Sequence, residues 1–175
     1  VDTTFLSNTG GSYFRVDGLY RLNGSNFVAG VFSGNDSNSR TPFVKLKEDG
    51  SVDFSFNAGT LVGTVLDAAV ADDGKIYLGG EFNTFTESGN RKHIVRVTKN
   101  GSLDYTFDCG EILNIPNNPN SPANQVAQVD VVGNDQLLIS GSFDFVGGFS
   151  RWSVAKVKLN EAVSRPVADF DGDGK

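Results

Sequence analysis

DDGKIYLGGEF, Asp72 to Phe82, holds the pattern that decides the fold. From Ile76 its apolar residues run consecutively rather than alternating. A strand of this kind is apolar on both faces and needs cover on both. The Asp-Gly pair ahead of it provides the positive φ that a tight hairpin requires. Gly79 and Gly80 let neighbouring backbone come close. Four-stranded units whose inner strands are covered on both sides are the blades of a β-propeller.

The stretch is one member of a threefold repeat, and internal repeats at a fixed period decide a fold before any local detail does. Its closing Gly-x-Phe element returns as FVAGVF (Phe27 to Phe32) and LISGSF (Leu138 to Phe143). QLLISGSF, like KIYLGGEF, is apolar at consecutive positions. An apolar and basic element follows each time: FVKL from Phe43, IVRV from Ile94, VAKV from Val154. A third phrase reads VDTTF from Val1, VDFSF from Val52 and LDYTF from Leu103, with 51 residues between successive starts. Each unit thus reads as four short strands. The first lies near residues 14–20, 65–71 and 126–132, and the fourth is the VDxTF phrase. Turns at NGSN, DDGK, GNDQ, EDGS and KNGS separate them. No helical period is sustained.

The units are 1–51, 52–102 and 103–162, so an array of three antiparallel blades is expected, a partial or incomplete all-β propeller. The third unit is longer because of EILNIPNNPNSPAN (Glu111 to Asn124), rich in Asn and Pro and read as a surface loop. Residues 163–175 form a linker and the start of another motif. Three blades do not close a ring, for which four to eight are typical, and an open array exposes edge strands. The lead-in DGS or NGS that precedes the other two phrases would lie before Val1. The chain is therefore expected to be a piece of a larger protein, or to pair with copies of itself.

In DDGKIYLGGEF and NGSLDYTF the sequence resembles the delta-60 repeat family, a bacterial β-propeller repeat, over residues 1–162. The first unit departs most, since NGSNFVAGVF lacks the Lys and the first Gly. The resemblance implies a repeat scaffold and assigns no catalytic residue. The tail ADFDGDGK resembles the opening of an FG-GAP or similar calcium-binding repeat of bacterial surface proteins. Asp169, Asp171 and Asp173 stand at alternate positions, with Gly174 next, which suits a hard cation with many oxygen ligands. Such a loop needs further ligands downstream. Calcium is therefore expected in a longer parent chain rather than in these residues alone.

Composition narrows the function. Of 175 residues 38% are hydrophobic, with 14 Phe supplying bulk, and the net charge is −6. That sign argues against nucleic acid and against anionic membrane surfaces. No apolar run is long enough for a transmembrane helix, and no leader peptide is visible. There is no Met and a single Cys. Avoidance of oxidisable sulfur points outside the cell.

Residues with possible chemistry are few. Asp2, Asp53 and Asp104 share one place in the repeat, so a structural role comes first, the carboxylate bonding backbone in the following turn. His93 stands alone, without a second metal ligand, and is expected at the surface beside IVRV. Cys109 has no His at a nucleophile's spacing and reads as a buried or half-exposed thiol. Trp152, with Phe145, Phe149 and Arg151, can form a platform for a sugar or a partner; packing in the core or at the rim is the first reading. Asn23, Asn35 and Asn100 fit the N-glycosylation pattern, and turn chemistry explains two of them. No P-loop, zinc spacing or nucleophile elbow is present.

These features predict a non-catalytic extracellular scaffold of a bacterial surface, adhesin-like or filament-forming. Its partners would be other blades of the same protein, copies of itself, a carbohydrate or a cell-surface protein. A phage or other assembly component is the alternative. A carbohydrate-active enzyme ranks below both, and would draw on the unrepeated acids Glu81, Glu87 and Glu111.

Overall fold

A computed structural model describes residues 14–33, 40–58, 61–84, 91–115 and 123–159. Among these residues there are strands and turns and no helix. Blade 1 is β1 (Phe14–Leu22), β2 (Ser25–Ser33) and β3 (Arg40–Leu46). Blade 2 is β4 (Leu61–Val70), β5 (Ile76–Thr84) and β6 (Lys92–Val97). The third unit opens with the short β7 (Ile112–Leu113), then runs through β8 (Gln125–Val132), β9 (Gln136–Ser142), β10 (Phe145–Val146), β11 (Phe149–Ser150) and β12 (Val154–Lys158). Blade 3 is β8, β9 and β12; β7, β10 and β11 make a separate small sheet.

Every pairing in these sheets is antiparallel. Asn23 and Gly24, with φ of 45° and 75°, close the β1–β2 hairpin where Leu22 faces Ser25. This is the two-residue turn that Asn-Gly favours. The first strand of each blade carries a bulge at the same place, after Val16, Val65 and Val126. A bulge shared by three units is a feature of the repeat.

The blades have three strands rather than the expected four. In the VDxTF phrase only Val52 and Leu103 pair, each through an isolated bridge, to Leu46 and Val97. The next residue diverts the chain. The Asp53 carboxylate accepts from the Ser55 amide and hydroxyl, at 3.0 and 2.6 Å. Asp104 does the same with Thr106, at 3.0 and 2.6 Å. A side chain that captures the amide two residues on forms a turn in place of a ladder. The phrase VDTTF from Val1 lies outside the described residues.

The cores sit between the blades. Phe27, Ala29 and Phe43 of blade 1 pack with Val65, Ile76, Leu78, Val95 and Val97 of blade 2, and Phe56 of the phrase joins them. Tyr77 and Ile94 on the opposite face of blade 2 pack with Val126, Val129, Leu137 and Ile139 of blade 3. A smaller cluster of Val28, Val44, Leu46 and Val52 lies in blade 1. Blade 2 is therefore covered on both faces, as its apolar run requires. β9 differs: Leu137 and Ile139 are fully buried, but Leu138 is 37% exposed on the face turned away from blade 2. The segment read as a surface loop also departs from that reading at its start. Ile112 is buried and pairs with Val146 of β10.

Candidate functional site

The described residues offer three places for chemistry: the seam at Arg96, a cleft beside Cys109, and an aromatic ledge at Trp152. Arg96 lies in β6 and is buried. Its Nε donates to Asp104 at 2.9 Å and its Nη2 to Thr106 at 2.7 Å. A further guanidinium N–H reaches the Tyr77 hydroxyl at 3.3 Å. The guanidinium also lies 5.3 Å from the Phe107 ring centre. The Asp104 carboxyl titrates below the ordinary carboxylate range: burial pushes it up, but the bonds from Thr106 and Arg96 outweigh that. In unit 1 Lys45 and Asp53 form the matching pair at 3.5 Å. The repeated aspartates are thus structural, as expected for Asp53 and Asp104; Asp2 lies outside the described residues.

The cleft has a volume of about 330 Å³ between the start of β6 and the segment 107–113. Arg91 pairs with Asp108 at 3.1 Å across it. Cys109 at its floor is buried, and burial, with the charge of Asp108 adding to it, pushes the thiol up to about 12. Such a thiol is not a nucleophile at neutral pH. Glu111 borders this cleft and is exposed, while Glu81 is exposed on β5; Glu87 lies outside the described residues. His93 is not a surface residue as expected. It is half-buried with φ of 66°, and its Nδ1 has no hydrogen-bond partner. Burial pushes its pKa down.

The ledge is built on the β10–β11 hairpin. Gly147 and Gly148, both at positive φ, make its turn, and buried Val146 anchors it. The Gly147 amide donates to the Glu111 carbonyl at 2.9 Å, and the Asp144 amide to the Leu113 carbonyl at 2.8 Å, clamping the hairpin onto β7. The Asp144 carboxylate accepts the Ile115 amide at 2.7 Å. Beyond β11 the Arg151 amide returns to the Asp144 carbonyl at 2.7 Å. The Val154 amide then bonds the Trp152 carbonyl at 2.7 Å over Ser153, whose φ is 60°. This tight turn keeps Trp152 out of the core. Trp152 is 69% exposed and Phe149 44%, and the Arg151 guanidinium stacks 5.6 Å from the Phe149 ring centre. Packing in the core or at the rim is the first expectation for Trp152, and the structure excludes the core.

Two further positions recur around the third strand. Arg40, Arg91 and Arg151 share one place in the three units, three residues before Phe43, Ile94 and Val154. His93 and Ser153 share the next landmark, a positive φ ahead of Ile94 and Val154. Asp169, Asp171 and Asp173 lie outside the described residues. Among the described residues no group of three or more His, Cys, Asp or Glu could hold a metal ion. None of these residues forms a helix long and apolar enough to cross a membrane.

The stacked three-stranded sheets and their inter-blade cores define an all-β, propeller-type repeat protein. Residues 23–56 and 71–107 match a family model described as a domain of unknown function (DUF5122) beta-propeller. Both matches run from the turn before the second strand to the Phe of the phrase, so each spans β2–β3 or β5–β6 with the turn at Asp53 or Asp104. No curated protein matches the chain. No solved structure matches it either.

Proposed function

We propose that the chain is a non-catalytic scaffold of delta-60-type propeller repeats, exported to a bacterial surface, that binds carbohydrate on the ledge around Trp152. The observation that carries this reading is the 69% exposure of an indole held outward by a clamped hairpin. An exposed aromatic face accepts the apolar face of a sugar ring, and its polar surroundings accept the hydroxyls. Arg151 beside it supplies donors. An extracellular setting is supported by the absence of Met and by a single, sealed Cys. Calcium held by Asp169, Asp171 and Asp173 in a longer parent chain belongs to the same reading.

The test is a glycan array with the purified chain, followed by calorimetry on whatever sugar binds. Trp152→Ala is expected to weaken binding about tenfold or more, and Phe54→Ala, which removes another exposed aromatic, to leave it unchanged. Binding indifferent to Trp152→Ala, or an array without any bound sugar, removes the reading.

A further inference from the structure

The sequence holds two Asn-Gly pairs, Asn23-Gly24 and Asn100-Gly101, each followed by Ser. Besides shaping turns, this pair carries a chemistry of its own. The backbone nitrogen that follows an Asn can attack the side-chain carboxamide, and a Gly there has no Cβ to obstruct the approach. Whether it does so depends on how freely the peptide unit between the two residues can rotate. The structure treats the two pairs in opposite ways.

Asn100-Gly101 is pinned. The Gly101 amide donates to the Thr98 carbonyl at 2.8 Å, and the Asn100 carbonyl accepts the Asn57 amide at 3.0 Å, so both ends of their shared peptide unit are held. The Asn100 Oδ1 accepts from the Thr98 hydroxyl and, at 3.5 Å, from the Ser102 amide. Gly101 is buried, and a Cβ on it would stand 2.5 Å from the Asn57 carbonyl carbon. Asn23-Gly24 is free. Both residues are exposed at the tip of the β1–β2 hairpin, and nothing lies within 4 Å of the place a Cβ on Gly24 would take. Among the described residues neither the Asn23 carboxamide nor either end of the peptide unit between Asn23 and Gly24 has a hydrogen-bond partner.

We propose that Asn23 is a site of spontaneous modification, converting to isoaspartate in the folded protein, while the turn around Asn100 protects the second pair. The Gly24 nitrogen gives its proton to hydroxide and bonds the Asn23 Cγ. The bond from Cγ to the side-chain nitrogen breaks, and that nitrogen leaves as ammonia. Water then opens the five-membered imide at either carbonyl, giving isoaspartate or aspartate. Water is the one reactant consumed, and nothing is oxidised or reduced. The product carries a new carboxylate. In the isoaspartyl form the main chain runs through the former side chain and gains a methylene. A two-residue turn has no room for that extra atom, so the Leu22 to Ser25 closure of the hairpin loosens. The change falls close to a contact between blades, since the Tyr20 hydroxyl donates to the Leu66 carbonyl of blade 2 at 2.8 Å.

Incubation of the purified chain in mildly alkaline buffer tests this, with peptide mapping by mass spectrometry and isoaspartyl methyltransferase labelling. The peptide that holds Asn23 should gain a single mass unit and take the label. It should do so about tenfold or more faster than the peptide that holds Asn100, because the second site must first break the hydrogen bonds of its turn. In urea the two sites should react at similar rates, since each is an Asn-Gly-Ser stretch without its fold. Asn23→Gln lengthens the side chain past the five-membered ring and should abolish the label in the native chain. Equal rates at the two sites in the folded chain overturn the proposal. So does a folded chain without isoaspartate at Asn23, or an Asn100 that lags in urea as far as it does in the fold.

Discussion

Asp104 and Asp53 hold equivalent positions with unequal surroundings, which separates what the repeat needs from what burial adds. The Arg96 side chain is 8% exposed beside Asp104, whereas Lys45 is 29% exposed beside Asp53. Asp104→Ala leaves a buried guanidinium without its counter-charge and should cost about 3 kcal/mol or more. Asp53→Ala removes a solvent-screened pair and a turn bond, and should cost about 1 kcal/mol. Urea unfolding of both variants decides it; equal losses would refute the burial argument. The acid limb follows from the same groups. Asp53 titrates below its ordinary value because Ser55 bonds it, and Asp104 does so because its partners outweigh its burial. Unfolded carboxylates titrate near pH 4. Below that the unfolded chain binds more protons, so this stability is present above about pH 4 and is lost as pH falls through the lowered folded values. Asp104→Ala should flatten that limb. Cys109 yields the third expectation at this scale. With its thiol pushed up to about 12 and buried, it should resist a disulfide reagent at neutral pH until the chain unfolds. Rapid labelling of the native protein would contradict this.

At the scale of the element, the strands could be placed from sequence because Asn-Gly and Asp-Gly turns bracket them. The phrase could not. VDFSF alternates as a strand should, yet Val52 and Phe56 are buried while Phe54 is 84% exposed. The alternation was broken by the Asp53 carboxylate, whose choice of its own backbone over a ladder is a competition no periodicity displays. Trp152 was illegible for a different reason. Its exposure depends on the β10–β11 hairpin being clamped to β7, a contact between residues more than thirty apart in the chain. The Gly at position 79, in contrast, was read correctly as a site of close approach, and the structure says what approaches: a Cβ there would stand 2.8 Å from a Val126 methyl and 2.9 Å from a Val129 methyl. Ala29 fills the equivalent place in blade 1, where the facing residue is Ala68 rather than Val129. Gly79→Ala alone should cost about 1–2 kcal/mol by overpacking, and Val129→Ala alone about 1–2 kcal/mol by leaving a gap. Together they recreate the blade 1 to blade 2 pairing. The double variant should therefore lose about 1 kcal/mol or more less than the sum. Additive losses in that cycle would show that the two sites do not share one contact.

For the whole molecule, stability is carried between blades, so it is distributed along the array as in other repeat proteins, where each unit leans on its neighbours. Blade 2 contributes to both large cores, and Ile76, Tyr77, Leu78 and Phe82 of β5 are all buried. Opening β5 to solvent requires both cores to part, which amounts to unfolding most of the chain. β1 and β12 contribute to one large core each and leave Leu19 and Val154 exposed. They can open at the cost of one core. Hydrogen exchange followed by mass spectrometry should find β5 amides the slowest, exchanging only with global unfolding, and those of β1 and β12 faster. Exchange in β5 as fast as in β1 would mean that the blades are held from within, and the inter-blade account of stability would fall.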